Sequence, residues 1–282
     1  DVRKTYAEFT LDGVTLSIPR GYIVGLVGPN GAGKTTTIKI IMNLIRATSG
    51  EVSIFGLTHH TDEKEIKNRI GYVGEQQYFY ENKTVDWTGR FVAQYYRKWD
   101  ENRFGGLLTD FNISRTKKVK ELSKGMRVKL ALAIALSHDA ELIMLDEPTA
   151  GLDPIVRREV LDILMGITED EERSVLISSH ITDDITRISD YIAFMIDGNI
   201  RMYCEKDDLL SNWKLIHYKP EAMDEGIVST LSHVQDHQFG SSGVTRNYLE
   251  IRDRLSGGVA VDDIKVENVT LDDILISLVE EK

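Results

Sequence analysis

Three short stretches of the chain are apolar without a break: "YIVGLV" (22–27), "LIML" within "ELIMLDEP" (141–148), and "VLI" within "SVLISSH" (174–180). Each is the length of a strand. Unbroken apolar runs of this size, bounded by turn residues, belong to strands buried on both faces of a parallel sheet. The second and third end in polar tips. Between them the spacing changes to that of helices. Ile38, Ile41, Met42 and Ile45 recur at i, i+3, i+4 and i+7, which predicts one face of a helix after the glycine loop. "TSG" (48–50) ends that helix, and "EVSIFG" predicts a further strand. Asp153 followed by Pro154 marks a capped helix start, with Val156, Val160 and Leu164 as its apolar stripe. From about 75 to 125, aromatic and charged residues at helical spacing predict a mostly helical insertion, interrupted by "FGG" at 104–106. The alternation of buried strands with helices predicts an α/β fold with a mostly parallel sheet over residues 1–205. Beyond Cys204, "LIHYK", "NYLEIRD" and "DDIKVEN" predict strands and "TLDDILISLVEE" a closing amphipathic helix, a small α+β appendage over 206–282.

Composition narrows the possibilities. With 282 residues, 41% hydrophobic, 28% charged and five prolines, the chain fits a globular protein of one large domain plus an appendage. Lys plus Arg total 34 against 45 for Asp plus Glu, a net charge of −11, which argues against a broad nucleic-acid surface. Cys204 is the only cysteine, so neither an internal disulfide nor a cysteine zinc cluster is available. No apolar run approaches the roughly 18 residues that cross a bilayer. The opening "DVRKTYAEF" lacks the apolar core of a signal peptide. His59 and His60 lie in a polar "THHTDEKE" stretch, read as a loop without a third metal ligand. "RTKKVK" (115–120) reads as a solvated surface run.

The chemistry concentrates at the ends of the three buried runs. "GPNGAGKTT" satisfies G-x-x-x-x-G-K-[ST] between a predicted strand and a predicted helix. Residues Gly28, Pro29, Asn30, Gly31, Ala32, Gly33, Lys34, Thr35 and Thr36 would form a phosphate cradle. Backbone N–H groups turn inward, Lys34 reaches the β and γ phosphates, and the Thr35 hydroxyl is placed to ligate magnesium. "LIMLDEP" supplies Asp146 as the acid that holds magnesium and Glu147 as the base that orients or deprotonates water. His180, at the tip of the third run, would contact the γ-phosphate. "ELSKGM" (121–126) is a second anion-suited helix start, in a chain that already has a stronger one.

Taken together, the P-loop, "LSKGM", "LIMLDEP", "AGLD" and His180 resemble, in order and spacing, the ATP-binding cassette (ABC) ATPases. The resemblance covers about residues 1–205, and its details are most like the ATPase subunits of bacterial ABC-2-type exporters. It implies a P-loop NTPase core with a helical signature-motif subdomain inserted at about 75–125. It implies ATP and Mg2+, a homodimer or heterodimer holding ATP head to tail, and a transmembrane permease partner at the cytoplasmic face of the membrane. By the same resemblance Leu122, Ser123, Lys124, Gly125 and Met126 form the signature loop that meets the partner's ATP. Gly125 would allow close backbone approach to phosphate, while Lys124 and Met126 replace the usual Gly and Gln. Asp153 would belong to the D-loop at the dimer seam, and Tyr6 would stack on adenine. The Q-loop glutamine is replaced: Glu75 stands at its position and Gln76 one residue later, with Glu75 favoured as the metal-sensing residue. The alternative reading is a soluble ABC-type ATPase with a non-membrane partner.

Overall fold

The structure, a computed structural model, describes residues 1–169, 171–238, 240–256 and 263–280. The chain divides into two units, Asp1–Ile200 and Arg201–Lys282. In the first, a hairpin of β1 (Val2–Thr5) and β2 (Thr10–Val14) precedes β3 (Ile23–Val27) and α1 (Lys34–Ile41). A two-residue ribbon, β4 (Ser53–Ile54) with β5 (Leu57–Thr58), leads to α2 (His59–Asn68) and β6 (Ile70–Val73). The inserted helices are α3 (Val85–Ala93), α4 (Glu101–Asp110) and α5 (Lys124–Ser137). The core then returns through β7 (Leu142–Asp146), α6 (Pro154–Ile167), β8 (Ser174–Ser179), α7 (Thr182–Ile188), β9 (Tyr191–Ile196) and β10 (Asn199–Glu205), within which the division falls.

The main sheet has the order β10-β9-β3-β8-β7-β6. The β9-β3, β3-β8, β8-β7 and β7-β6 pairs are parallel. Every residue of β3, β7 and β8 is buried, as unbroken apolar runs require when helices cover both faces. Register matters most here. Val27 lies opposite Ser179, and Asp146 opposite Ser178, so the three central strands end at one level.

The second unit comprises α8 (Lys206–Asn212), β11 (Lys214–Tyr218), α9 (Glu225–Val228), β12 (Ser232–His237), β13 (Gly240–Thr245), α10 (Tyr248–Ser256), β14 (Ile264–Asn268) and α11 (Leu271–Glu280). Its sheet is antiparallel with order β12-β13-β11-β14. Ile216, Tyr218, Met223, Ile227 and Ile251 form its core.

Several elements differ from the sequence reading. "NYLEIRD" is helical: Ile251 is buried and Leu255 packs beside it four residues on, a helical period that the short alternation obscured. β12 and β13 carry mostly polar residues and have no apolar signature. Asp262 and Glu281, included in the predicted last strand and helix, lie outside the described residues. Helix α1 stops at Ile41, because Asn43 turns left-handed (φ 53°), so Ile45 lies beyond it. His59 and His60 begin α2 instead of lying in a loop, and His59 Nε2 meets the Ile41 carbonyl at 2.6 Å, capping the end of α1. The run at 115–120 is not merely solvated: Val119 is fully buried, and Arg115 pairs with Asp86 and Glu101.

"FGG" does not interrupt the insertion. α4 runs through it, capped by Asp100, with Phe104 and Leu108 buried four residues apart. The helical glycines nearby then predict substitution effects of opposite sign. A Cβ at Gly89 would lie 2.3 Å from the Phe104 ring, whereas one at Gly106 meets nothing within 4 Å. Gly106→Ala should stabilise by about 0.5–1 kcal/mol through lost backbone entropy of the unfolded chain. Gly89→Ala should destabilise by about 1–3 kcal/mol through overpacking. Thermal midpoints of the two variants check this. Burial also sets a pH dependence. His138, stacked on Tyr96 at 3.7 Å, is pulled by burial down to about 4 from 6.5. Because the folded value is the lower one, its neutral form contributes full stability above about pH 6.5, and that contribution fades as pH falls towards 4. Replacing His138 with Phe should flatten the change in thermal midpoint across that window.

Candidate functional site

The P-loop follows β3 directly, and its glycines answer to neighbours. A Cβ at Gly28 would lie 2.1 Å from the Met195 carbonyl of β9, and Gly33, with φ 111°, occupies a conformation that other residues rarely adopt. Gly33 is the N-cap of α1 and offers no side chain to its first N–H groups. Helices α3, α4, α5 and α6 begin instead on Thr84, Asp100, Ser123 and Asp153, whose side chains accept those N–H bonds. The start of α1 is therefore the one among these five whose donors and positive dipole end face a ligand position uncapped. No acid lies in its first turn.

The charged centre forms where β3, β8 and β7 end together. Asp146 is 1% exposed and accepts hydrogen bonds from Ser178 Oγ (2.7 Å) and Thr35 Oγ1 (3.0 Å). Glu147 follows with φ 50°, a left-handed turn that swings its carboxylate back over the strand ends. Its Oε1 lies 3.3 Å from Lys34 Nζ, and its Oε2 lies 2.7 Å from His180 Nδ1 and accepts the His180 N–H at 3.2 Å. Lys34 is also buried, donating to the carbonyls of Gly28 (2.7 Å) and Pro29 (3.2 Å). One carboxylate thus joins the P-loop ammonium to the histidine after β8. The structure brings together Lys34, Thr35, Asp146, Glu147 and His180 from the sequence reading.

The other expected residues lie around this centre. Tyr6 is exposed on the β1–β2 turn, its ring tilted against Phe9, whose edge packs beside Gly33. Gln76 accepts from the Tyr78 hydroxyl at 2.8 Å and is engaged locally. Glu75 is exposed. The Tyr72 phenol is held above its usual range first by burial, then by the charges of Asp146 and Glu75. Ser123 caps α5 through the Met126 N–H at 3.3 Å, and Leu122 is buried. Lys124 Nζ donates to the Ala150 carbonyl at 2.6 Å, and Asp153 caps α6 through the N–H groups of Ile155 and Val156. Gly125 also packs on α6 of its own chain, where a Cβ would lie 2.3 Å from Val156 Cγ1.

Sequence reasoning missed four participants. Ser178 holds both Asp146 and the Glu147 N–H (3.1 Å). Its only signal was the polar tip of an apolar strand. Asp184, 1% exposed, accepts from Thr149 Oγ1 (2.6 Å) and Arg157 Nε (2.5 Å), so α7 grips the segment after β7. Two acids in the first turn of a helix carry no sequence sign of such a role.

Thr35 Oγ1 and Asp146 Oδ1 are a hard-oxygen pair, a hydroxyl and a buried carboxylate with only neutral donors around it. Among the described residues no three His, Cys, Asp or Glu side chains gather as a metal-binding group. Such a pair would suit a hard divalent cation whose remaining ligands came from elsewhere.

Known proteins share this arrangement. Residues 11–150 match the family model described as ABC transporter. The chain is 30% identical, over 99% of its length and 95% of the relative's, to the bacitracin transport ATP-binding protein BcrA of Bacillus licheniformis. It is 33% identical, over 73% of its length and 90% of the relative's, to the lantibiotic transport ATP-binding protein SrtF of Streptococcus pyogenes. Among solved structures, an ATP-binding subunit of an ABC transporter superposes with TM-score 0.68 at 28% identity, covering 75% of this chain and 90% of that one. A dimeric ATP-binding cassette in a post-hydrolysis state with ADP and Pi superposes with TM-score 0.65 at 26% identity, covering 73% and 96%. The chain belongs to the ABC transporter family as one of its ATP-binding, ATP-hydrolysing subunits.

Proposed function

We propose that two cassettes close head to tail around ATP and drive an export permease, and that Glu147 is the catalytic base. The observation that carries this reading is the Lys34–Glu147–His180 chain at the end of three adjacent strands. Backbone N–H groups of the P-loop and Lys34 hold the β and γ phosphates, as the uncapped start of α1 supports. Thr35 and Asp146 would hold Mg2+, with Glu75 the further candidate for sensing the metal. When bound, the ion neutralises charge on the phosphates. Glu147 then orients a water for in-line attack and accepts its proton, while His180 holds the γ-phosphate side and keeps Glu147 in place. Tyr6 contributes a face for adenine, and Ser123 and Asp153 meet a second cassette.

A membrane partner is supported by a surface as well as by the relatives. Trp87, Phe91 and Tyr95 stand four residues apart along and just beyond α3. Trp87 stacks on Phe91 at 5.0 Å, and Tyr80 packs edge-on against both. Tyr80 and Tyr95 are well exposed. Such an aromatic ladder suits docking of an apolar permease segment. No helix among the described residues is long and apolar enough to cross a membrane, so the pore belongs to another chain in this reading. The bacitracin and lantibiotic relatives support export, at the cytoplasmic face of the cell membrane.

Three outcomes test the reading. Glu147→Gln should keep ATP binding and lower turnover by about 10² to 10⁴, the range for a positioned base; near-normal steady-state ATPase would remove Glu147 from that role. Glu75→Gln should keep most activity, whereas Glu75→Ala should lose it and shift the magnesium dependence. Damage from Gln76→Ala with a silent Glu75→Ala would reassign the Q-loop. Replacing Trp87 and Phe91 with Ser should leave the ATPase of the isolated protein near normal but reduce its recovery with solubilised membranes, measured by co-purification.

A further inference from the structure

The departure of "LSKGM" from the family pattern has a structural counterpart. Lys124, the first residue of α5, is exposed, yet its ammonium does not extend into solvent. It reaches across to the D-loop and donates to the Ala150 carbonyl at 2.6 Å. It lies so close that a Cβ built on Gly151, itself at φ 67°, would be 3.1 Å from Nζ. The same turn is held from the opposite side, where Thr149 Oγ1 donates to the buried Asp184, which also takes Arg157. Within the turn the Ala150 and Leu152 N–H groups bond back to the carbonyls of Glu147 and Thr149, each at 3.2 Å. Next to Lys124, Gly125 packs directly on Val156 of α6, two residues beyond the N-terminal Pro154.

These contacts fasten two loops that the proposed function sends to the same second chain. We propose that Lys124 is a positioning residue: its ammonium ties the D-loop to the start of α5, so that Ser123 and the turn before Asp153 meet a partner as one preassembled surface. The physical reason is conformational entropy. A glycine-containing loop held in advance loses less freedom when the second cassette arrives, and more of the contact energy then appears as closure. A glycine at position 124 would have no means of making this bond. The proposal rests on the head-to-tail reading for its consequence, but the tie itself exists within one chain and is testable there.

The test uses Lys124→Met, which keeps the stem and removes the ammonium, with Lys124→Arg as the conservative variant. Amide hydrogen exchange of the nucleotide-free protein, read on peptides spanning 148–153, should be about five-fold faster in Lys124→Met at the amides of Ala150 and Leu152. The arginine variant should stay near the parent. In the Glu147→Gln background, Lys124→Met should raise by about tenfold the ATP concentration needed for dimerisation measured by light scattering. Binding of a fluorescent ATP analogue to the monomer should not change. In the hydrolysis-competent protein, kcat should fall by a similar factor with little change in KM. Unchanged exchange in Lys124→Met overturns the tie, even if dimerisation weakens, because Lys124 would then act on the partner's phosphate directly. Faster exchange with unchanged dimerisation and kcat overturns the positioning role. If Glu147→Gln alone never dimerises with ATP, the head-to-tail reading fails, and with it the consequence claimed for the tie, whatever the exchange shows.

Discussion

A carboxylate buried to 1% exposure is the constraint on which the site depends. Among the described residues no ammonium or guanidinium pairs with Asp146; Lys34, the nearest candidate by role, bonds to Glu147 and to P-loop carbonyls. Two hydroxyls, from Thr35 and Ser178, supply its hydrogen bonds. Burying a charge on such terms is unfavourable unless something compensates. The parallel register makes this geometry possible. It sets Asp146 level with Ser178 on β8, and Ser179 level with the last residue before the P-loop. Hydroxyl and carboxylate therefore come from the adjacent strands β8 and β7, and the lysine from the start of α1 just after β3.

Lys34 and Glu147 meet within one chain at the same centre. Lys34 is almost fully buried and needs acceptors, and it finds two P-loop carbonyls and one carboxylate oxygen. A γ-phosphate offers the ammonium a better partner than main-chain carbonyls, since charge-assisted bonds are the stronger ones.

The legibility of this molecule in its sequence follows from how local each signal is. The P-loop, the acid pair and the strand-end histidine were readable because a strand, a tight turn and a reactive residue are contiguous there. Unbroken apolar runs marked β3, β7 and β8 for the same reason. The misreadings share an opposite cause. Glycines in α4 look like a break in isolation, but Asp100 caps the helix and Arg115, from eleven positions beyond Phe104, fills the space over Gly105. Ser178 and Asp184 carry ordinary identities, and only tertiary pairing to Asp146 and to Thr149 and Arg157 gives them their roles. In the second unit β12 and β13 are stabilised by antiparallel pairing of polar segments, for which a single sequence has no periodic sign.

Glu147 itself carries the last step. It adopts φ 50°, a conformation that costs a non-glycine residue about 1 kcal/mol or more. The strain is imposed locally: its N–H is held at 3.2 Å by the Ser178 carbonyl and at 3.1 Å by the Ser178 hydroxyl, and Ala150 bonds back to its own carbonyl. An extended residue at this point would carry the chain on in the direction of β7, and its side chain would face away from His180. The left-handed turn reverses the chain, delivers the carboxylate between Lys34 and His180, and starts the D-loop. Glycine would relieve the strain but remove the acid. The sheet register and Ser178 therefore hold an unfavourable backbone conformation so that one residue can both end the catalytic strand and open the turn that reaches the signature loop.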